Sequence, residues 1–246
     1  MQGPDYDRDM SARTVDWAAL RTPPGEAGTA EGLRERKKRQ TRQQLTDTAT
    51  EMFVARGFDA VRVSEIAEAC GVSEKTVFNY FPTKESLILD HPDTTMETLR
   101  SDLADPAVAP VRAALRILAD ELGAWIAWLD AEPDRDQAIA KFHGFDAVIQ
   151  STPSLRAYQR DMLDRLIAAA ADVLAERTGM DPADPEPQIA ANALLGLWRV
   201  QFRGMAKYLD GTRTSAQVQE AITADVRRAA TLIEAGLATF PAATGM

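Results

Sequence analysis

The stretch VRVSEIAEACGVSEKTVFNYFPTK, residues 61–84, decides the fold. Val63, Ile66, Ala67 and Cys70 recur at i, i+3, i+4 and i+7, which puts four small or branched apolar side chains on one helix face. Gly71 follows where the chain must turn, and glycine turns at little steric cost. Val72 can plug back toward the first helix. Ser73 is a good N-cap for a second helix. In that second helix Val77 and Phe81 are four apart and face the first. Lys75 and Asn79 are also four apart, on a different and polar face. Two short helices joined by a glycine turn, the second with an outward polar face, form a helix-turn-helix. The second helix of such a unit fits the major groove of DNA.

The surroundings separate this unit from an αα-hairpin that merely packs. The net charge of the chain is −9, which at first argues against a nucleic-acid partner. Its distribution answers this. Residues 31–84 carry ten Lys or Arg against eight Asp or Glu, a net of +2, so the remainder holds −11. Within the positive part, Arg34 to Arg42 holds six basic residues against Glu35 alone. The run RERKKRQTR reads either as a solvated tail or as an arm seeking phosphates or the minor groove; its place before a helix-turn-helix favours the arm. A basic end on an acidic body orients a protein on a duplex, because screening at physiological salt acts over about 8 Å.

Residues 34–90 resemble the DNA-binding domain of the TetR family of bacterial transcription regulators. The resemblance is carried by the helix Leu45–Ala55 with Arg56-Gly57-Phe58 after it, by IAEACGVSEKTVFNYF from Ile66 to Phe81, and by Pro82-Thr83-Lys84-Glu85-Ser86-Leu87. Arg62 departs from the pattern, standing where the family commonly has a Thr that caps the helix and touches a phosphate. Operator contacts are expected from Arg39, Arg42, Arg62, Ser73, Glu74, Lys75, Thr76, Phe78, Asn79, Tyr80 and Lys84. Tyr80 and Lys84 match positions that grip the DNA backbone. By chemistry, Lys75 can read guanine, Asn79 adenine, and Phe78 a thymine methyl.

The rest of the chain reads as helices. Leu45, Ala49, Met52 and Phe53 make the stripe of a first long helix over about 32–56. A fourth helix starts at Thr83 and is broken at His91-Pro92, since proline removes a helix hydrogen bond and clashes with the preceding turn. Apolar spacing over 111–129 and further segments near 134–150, 155–177, 186–209 and 215–239 complete an all-α chain of nine or ten helices. Residues 1–30, with a Thr22-Pro23-Pro24-Gly25 linker, read as a flexible extension that has room for a short helix at 15–20. Residues 31–90 read as the helix-turn-helix domain, and 91–246 as a helical ligand-binding and dimerisation domain.

Two functions follow for that second domain from the resemblance. Stripes on the last helix (Val218, Ile222, Val226, Ala229, Ile233, Phe240) and its neighbour (Ala190, Ala193, Leu194, Leu197, Met205) are core in a monomer; the resemblance implies a four-helix homodimer interface. Two recognition helices must sit about one DNA turn apart to read a palindrome, so some such interface is needed. The aromatic group Trp125, Trp128, Phe142, Phe145, Trp198 and Phe202 is ordinary core residue by residue; together it can line an apolar effector site. His143 is a polar anchor or a structural histidine, and Arg199 or Arg203 holds an anionic head group or forms a salt bridge. The expected partners are therefore operator DNA, a second copy of the chain and a largely apolar small molecule. Acyl-CoA thioesters and hydrophobic antibiotics are the first to screen.

Other classes lack support. The single cysteine, Cys70, excludes an internal disulfide. Two histidines 52 residues apart give no zinc spacing, and no metal or cofactor is expected. No glycine-rich phosphate loop, GxSxG or HExxH occurs, so no enzyme is expected. No apolar run approaches the roughly 20 residues of a membrane span, and the acidic start is no secretory signal, so a cytoplasmic protein is expected.

Overall fold

The computed structural model describes residues 33–89 and 93–236, with side chains described over 36–89 and 97–236. The proposed extension at 1–30, the break at His91-Pro92 and Phe240 lie outside the described residues. The helices are α1 (Leu33–Arg56), α2 (Val63–Ala69), α3 (Glu74–Tyr80), α4 (Asp93–Ala104), α5 (Pro110–Ala131), α6 (Arg135–Ser151), α7 (Pro153–Thr178), α8 (Pro185–Tyr208) and α9 (Ser215–Gly236). A 3₁₀ turn, Glu85–Leu87, lies between α3 and α4, and no strand occurs among the described residues.

Local chemistry sets the boundaries. Pro110, Pro153 and Pro185 open α5, α7 and α8, where the missing N–H has no helical partner to lose. Asp134 caps α6 by accepting from the Gln137 N–H at 2.9 Å. Gly179, with φ +67°, closes α7. The fourth helix does not start at Thr83 as the sequence reading has it. Thr83 Oγ1 accepts from Ser86 N, and Ser86 Oγ accepts from Thr83 N, both at 3.2 Å. This reciprocal pair closes one short turn rather than opening an α-helix. With Pro92 a few residues on, the sequence leaves little room for more.

Two hydrophobic clusters organise the chain. The first joins Leu45, Ala49 and Phe53 of α1 to Ile66, Val77, Phe81 and Leu87, and it is completed by Val148 and Ile149 of α6 and Leu155 of α7. The second gathers α4, α5, the first half of α6, α7, α8 and α9 around Leu118, Leu129, Leu174, Leu194 and Ile222. The stripes assigned from sequence to a dimer interface lie mostly inside this core: Val218, Ile222, Val226, Ala190, Leu194 and Leu197 are buried within the chain. Their faces are used up because α8 and α9 approach closely at Gly204, where an added Cβ would come 3.2 Å from Ile222 Cγ1. Among the described residues, the large apolar side chains left exposed on this pair are Ile189 and Leu232, 64% and 77% exposed.

Arg177 joins three elements. Its guanidinium donates to the carbonyls of Leu103 at 2.6 Å and Val108 at 3.0 Å, fastening the end of α4 and the following loop to α7.

Phe53 is fully buried at the centre of the first cluster, with its ring 4.8 Å from that of Phe58. Phe53→Ala should therefore cost about 3–5 kcal/mol of stability. The loss should appear as a lower urea midpoint with little change in the slope of unfolding.

Candidate nucleic-acid interface and effector site

The turn of the helix-turn-helix is built from backbone bonds that only glycine accommodates well. Gly71 has φ +66°. Its N–H reaches the Glu68 carbonyl at 3.0 Å, and the Val72 N–H reaches Ala67 at 2.9 Å. This is a Schellman closure of α2, and it delivers the chain into the next cap. Ser73 Oγ accepts from Thr76 N at 3.1 Å and pairs with Thr76 Oγ1 at 2.8 Å. Both hydroxyls proposed for DNA contact thus also hold the start of α3.

The start of α2 shows how the chain manages without a threonine cap. The Arg62 side chain caps nothing. Instead Glu65 reaches back and accepts from the Arg62 N–H at 2.7 Å, while Arg56 holds its other oxygen at 2.8 Å. The acidic half of a capping box therefore works without its partner. The Arg62 N–H, helped by Arg56, holds the Glu65 carboxyl below its ordinary value.

On α3, Val77 and the following Phe81 are completely buried. Glu74, Lys75, Phe78 and Asn79 form the opposite, exposed ridge, with Phe78 45% exposed. An aromatic ring left this far in water, beside an amide and an ammonium, suits base edges and thymine methyls rather than the protein interior. Tyr80 is half-buried and packs on the core beneath.

Two basic residues proposed for DNA contact have partners within the protein. Arg42 Nη1 donates to the Tyr80 carbonyl at 3.1 Å, and its guanidinium lies 4.7 Å from the Phe81 ring centre. It locks the C-terminal end of α3 to α1. Lys84 Nζ donates to the Phe58 carbonyl at 2.6 Å and sits 4.3 Å from the Phe58 ring centre. Desolvation there lowers its pKa. The basic run forms the first turns of α1, with Arg36 to Arg39 exposed. Positive charge at a helix N-terminus is unfavourable to the helix itself, by about 0.3–1 kcal/mol per charge at most. Helix stability therefore gives no reason for the run, whereas phosphates do.

In the C-terminal unit, Trp125 and Phe142 are buried, and Trp128 and Phe202 are half-buried against the same core. Trp125 lies 6.0 Å from Trp128 and 5.7 Å from Phe142, and Phe142 lies 5.8 Å from Phe202. Trp198 is half-buried and donates from Nε1 to Glu121 Oε2 at 3.0 Å. Phe145 is placed elsewhere, against the N-terminal cluster. His143 is mostly exposed and pairs through Nε2 with the Leu209 carbonyl at 2.7 Å; Arg199 is exposed. Glu121 is a polar residue of this region that the sequence reading did not select, and Gln201, three residues after Trp198, is buried.

One close approach ties the two units together. A Cβ on Gly144 of α6 would lie 2.8 Å from Val54 Cγ1 of α1, so α6 touches α1 where only glycine fits. No group of His, Cys, Asp and Glu able to hold a metal occurs among the described residues, and no helix among them is long and apolar enough to cross a membrane.

A capped glycine turn and an exposed reading ridge over a buried face define a helix-turn-helix DNA-binding protein. The model described as "Bacterial regulatory proteins, tetR family" matches residues 45–90, and that described as "MftR C-terminal domain" matches 124–238. A Mycobacterium tuberculosis protein that carries the name mycofactocin biosynthesis transcriptional regulator MftR is 30% identical over 164 residues, spanning 66% of this chain and 78% of that protein. The HTH-type transcriptional regulator TcmR of Streptomyces glaucescens is 39% identical over 80 residues, 32% of this chain and 34% of its own. Among solved structures, NalD of Pseudomonas aeruginosa, titled the secondary repressor of the MexAB-OprM multidrug efflux pump, is 19% identical over 79% of this chain and 97% of that one, with a TM-score of 0.43. The chain belongs to the TetR family: it is a transcriptional regulator that binds DNA and not an enzyme.

The ridge and its support separate by experiment. Asn79→Ala should cost roughly 1–3 kcal/mol of operator affinity at one base pair per half-site and leave thermal stability unchanged. Arg42→Ala should lower both affinity and stability, because it frees the end of α3. Calorimetry beside a binding assay reads the difference. Glu65 adds a pH signature. Its folded pKa lies below the ordinary 4.5, so its stabilisation is whole above that value and fades as pH falls through the lowered one. Acid titration of Glu65→Gln should lack that component.

Proposed function

We propose that the protein is a homodimeric, cytoplasmic repressor that binds a palindromic operator and releases it when a largely apolar small molecule enters the C-terminal unit. The observation that carries the reading is the ridge of Lys75, Phe78 and Asn79, exposed on a helix whose opposite face is buried. Such a helix has no role in packing that would call for those side chains. Arg39, Arg62 and the exposed basic turns of α1 supply phosphate contacts, with Tyr80 and Lys84 beside them.

Ile189 and Leu232, exposed on the outer faces of α8 and α9, support a two-fold interface there rather than along the buried stripes. Release requires an effector that prefers the conformation in which the recognition helices are wrongly spaced, because only differential affinity shifts an equilibrium. Phe142 and Gly144 are two residues apart on α6, one at the aromatic cluster and one against α1. That adjacency supports α6 as a path from effector to DNA, beside the segment before α4. The name of the mycobacterial relative makes the promoters of mycofactocin biosynthesis genes the first operators to test, with the DNA upstream of the chain's own gene.

Gel shift on these fragments, with analytical ultracentrifugation of the free protein, tests the reading. A specific shift and a dimer support it. A monomer without specific binding overturns it in favour of a helical small-molecule binding module. Gly144→Ala should force α1 and α6 apart and lower operator affinity severalfold with helix content unchanged, read by gel shift beside circular dichroism.

A further inference from the structure

The aromatic cluster of the C-terminal unit encloses one polar atom without a partner. Trp125 is 3% exposed, and no hydrogen-bond acceptor among the described residues is in reach of its Nε1. Its neighbours are rings, Trp128 at 6.0 Å and Phe142 at 5.7 Å. Buried indole N–H groups normally find an acceptor, and each exception calls for a reason. Trp198 shows the ordinary case, donating to Glu121 Oε2 at 3.0 Å. The polar anchors that the sequence suggested are in use or point elsewhere: His143 is paired with the Leu209 carbonyl, and Arg199 is exposed.

We propose that Trp125 Nε1 is the polar anchor of the effector site, and that the effector is a neutral apolar molecule whose carbonyl oxygen accepts from it. The proposal rests on the preceding reading, in which this unit takes a small molecule. An indole N–H only donates, so its partner is an acceptor. The buried members of the cluster are uncharged, and the carboxylate at Trp198 belongs to Glu121. A ketone, ester, thioester or amide carries its oxygen into such an uncharged cluster at far lower desolvation cost than an anionic head group. Trp128 and Phe202 are half-buried and form the outer side of the site, with Trp125 and Phe142 as its floor. Entry of the ligand displaces the outer rings and presses on Phe142, hence on α6.

Benzophenone and diphenylmethane, which differ only in a carbonyl for a methylene, are the probes. Isothermal titration of the full-length protein should show the ketone binding about tenfold tighter, the scale of one buried donor satisfied. Trp125→Phe keeps a ring and removes the donor. It should bind both compounds alike, at the hydrocarbon's affinity for the unaltered protein. In ¹⁵N-indole spectra of the unaltered protein, the Trp125 Nε1–H resonance should move downfield with the ketone and not with the hydrocarbon, which decides the matter if the variant fails to fold. Equal affinities in the unaltered protein, a preference that survives Trp125→Phe, or no binding of either compound up to its solubility each overturn the proposal. These titrations contain no DNA. Absence of operator binding would sink the repressor reading alone, and absence of the carbonyl preference this proposal alone.

Discussion

One apolar stripe along α6 is divided between two cores, and the arrangement of the chain depends on that division. Ala138, Ile139 and Phe142 belong to the C-terminal core; three residues on, Phe145, Val148 and Ile149 belong to the core under the helix-turn-helix. The apolar spacing runs on without a break while the surroundings of the helix change. A unit as small as α1–α3 has little interior of its own, since small domains bury a low fraction of their surface. The second half of α6 and Leu155 at the start of α7 supply what is missing. The DNA-binding end is therefore seated on the C-terminal body through shared hydrophobic burial. A displacement of α6 changes the packing beneath the recognition helix.

Glycine governs how close that seating is. At Gly144 the absent side chain lets α6 lie against Val54, and at Gly204 it lets α8 lie against Ile222. Packed interiors do not deform continuously. At close crossings of this kind a single β-branched side chain, Val54 or Ile222, is all that separates the helices, and such a side chain is stiff at χ1.

Much of the N-terminal half was legible in the sequence because its determinants are local. The Gly71 turn, the Ser73 cap and the pairing of Val77 with Phe81 each involve residues within a few positions of one another, and periodicity and cap rules see such relations. The replacement of the missing threonine cap by Glu65 was equally local but needed Arg56, nine residues back, to be understood. The failures have physical causes. Thr83 reads as an N-cap whether its partner Ser86 opens an α-helix or closes a single turn. Phe145 reads as one of a group of aromatics, because a continuous stripe carries no mark of where one core ends and another begins. The stripes on α8 and α9 are apolar enough for a dimer interface and were buried within the chain instead, a distinction that depends on which face each helix turns to its neighbours. The aromatic cluster was legible as residues, but the unmatched N–H of Trp125 was not, because hydrogen bonding at that depth is a matter of three-dimensional arrangement.

Arg177 gives the chain something like a door hinge. By gripping the Leu103 and Val108 carbonyls from α7, it pins the far end of α4 and the loop beyond. A rod fixed at one end can swing but cannot slide. Any movement of α4 is thereby turned into an arc whose greatest travel falls at the Asp93 end, on the side of the DNA-binding unit. The pivot is a side chain holding backbone oxygens, and its grip depends little on which residues line α4.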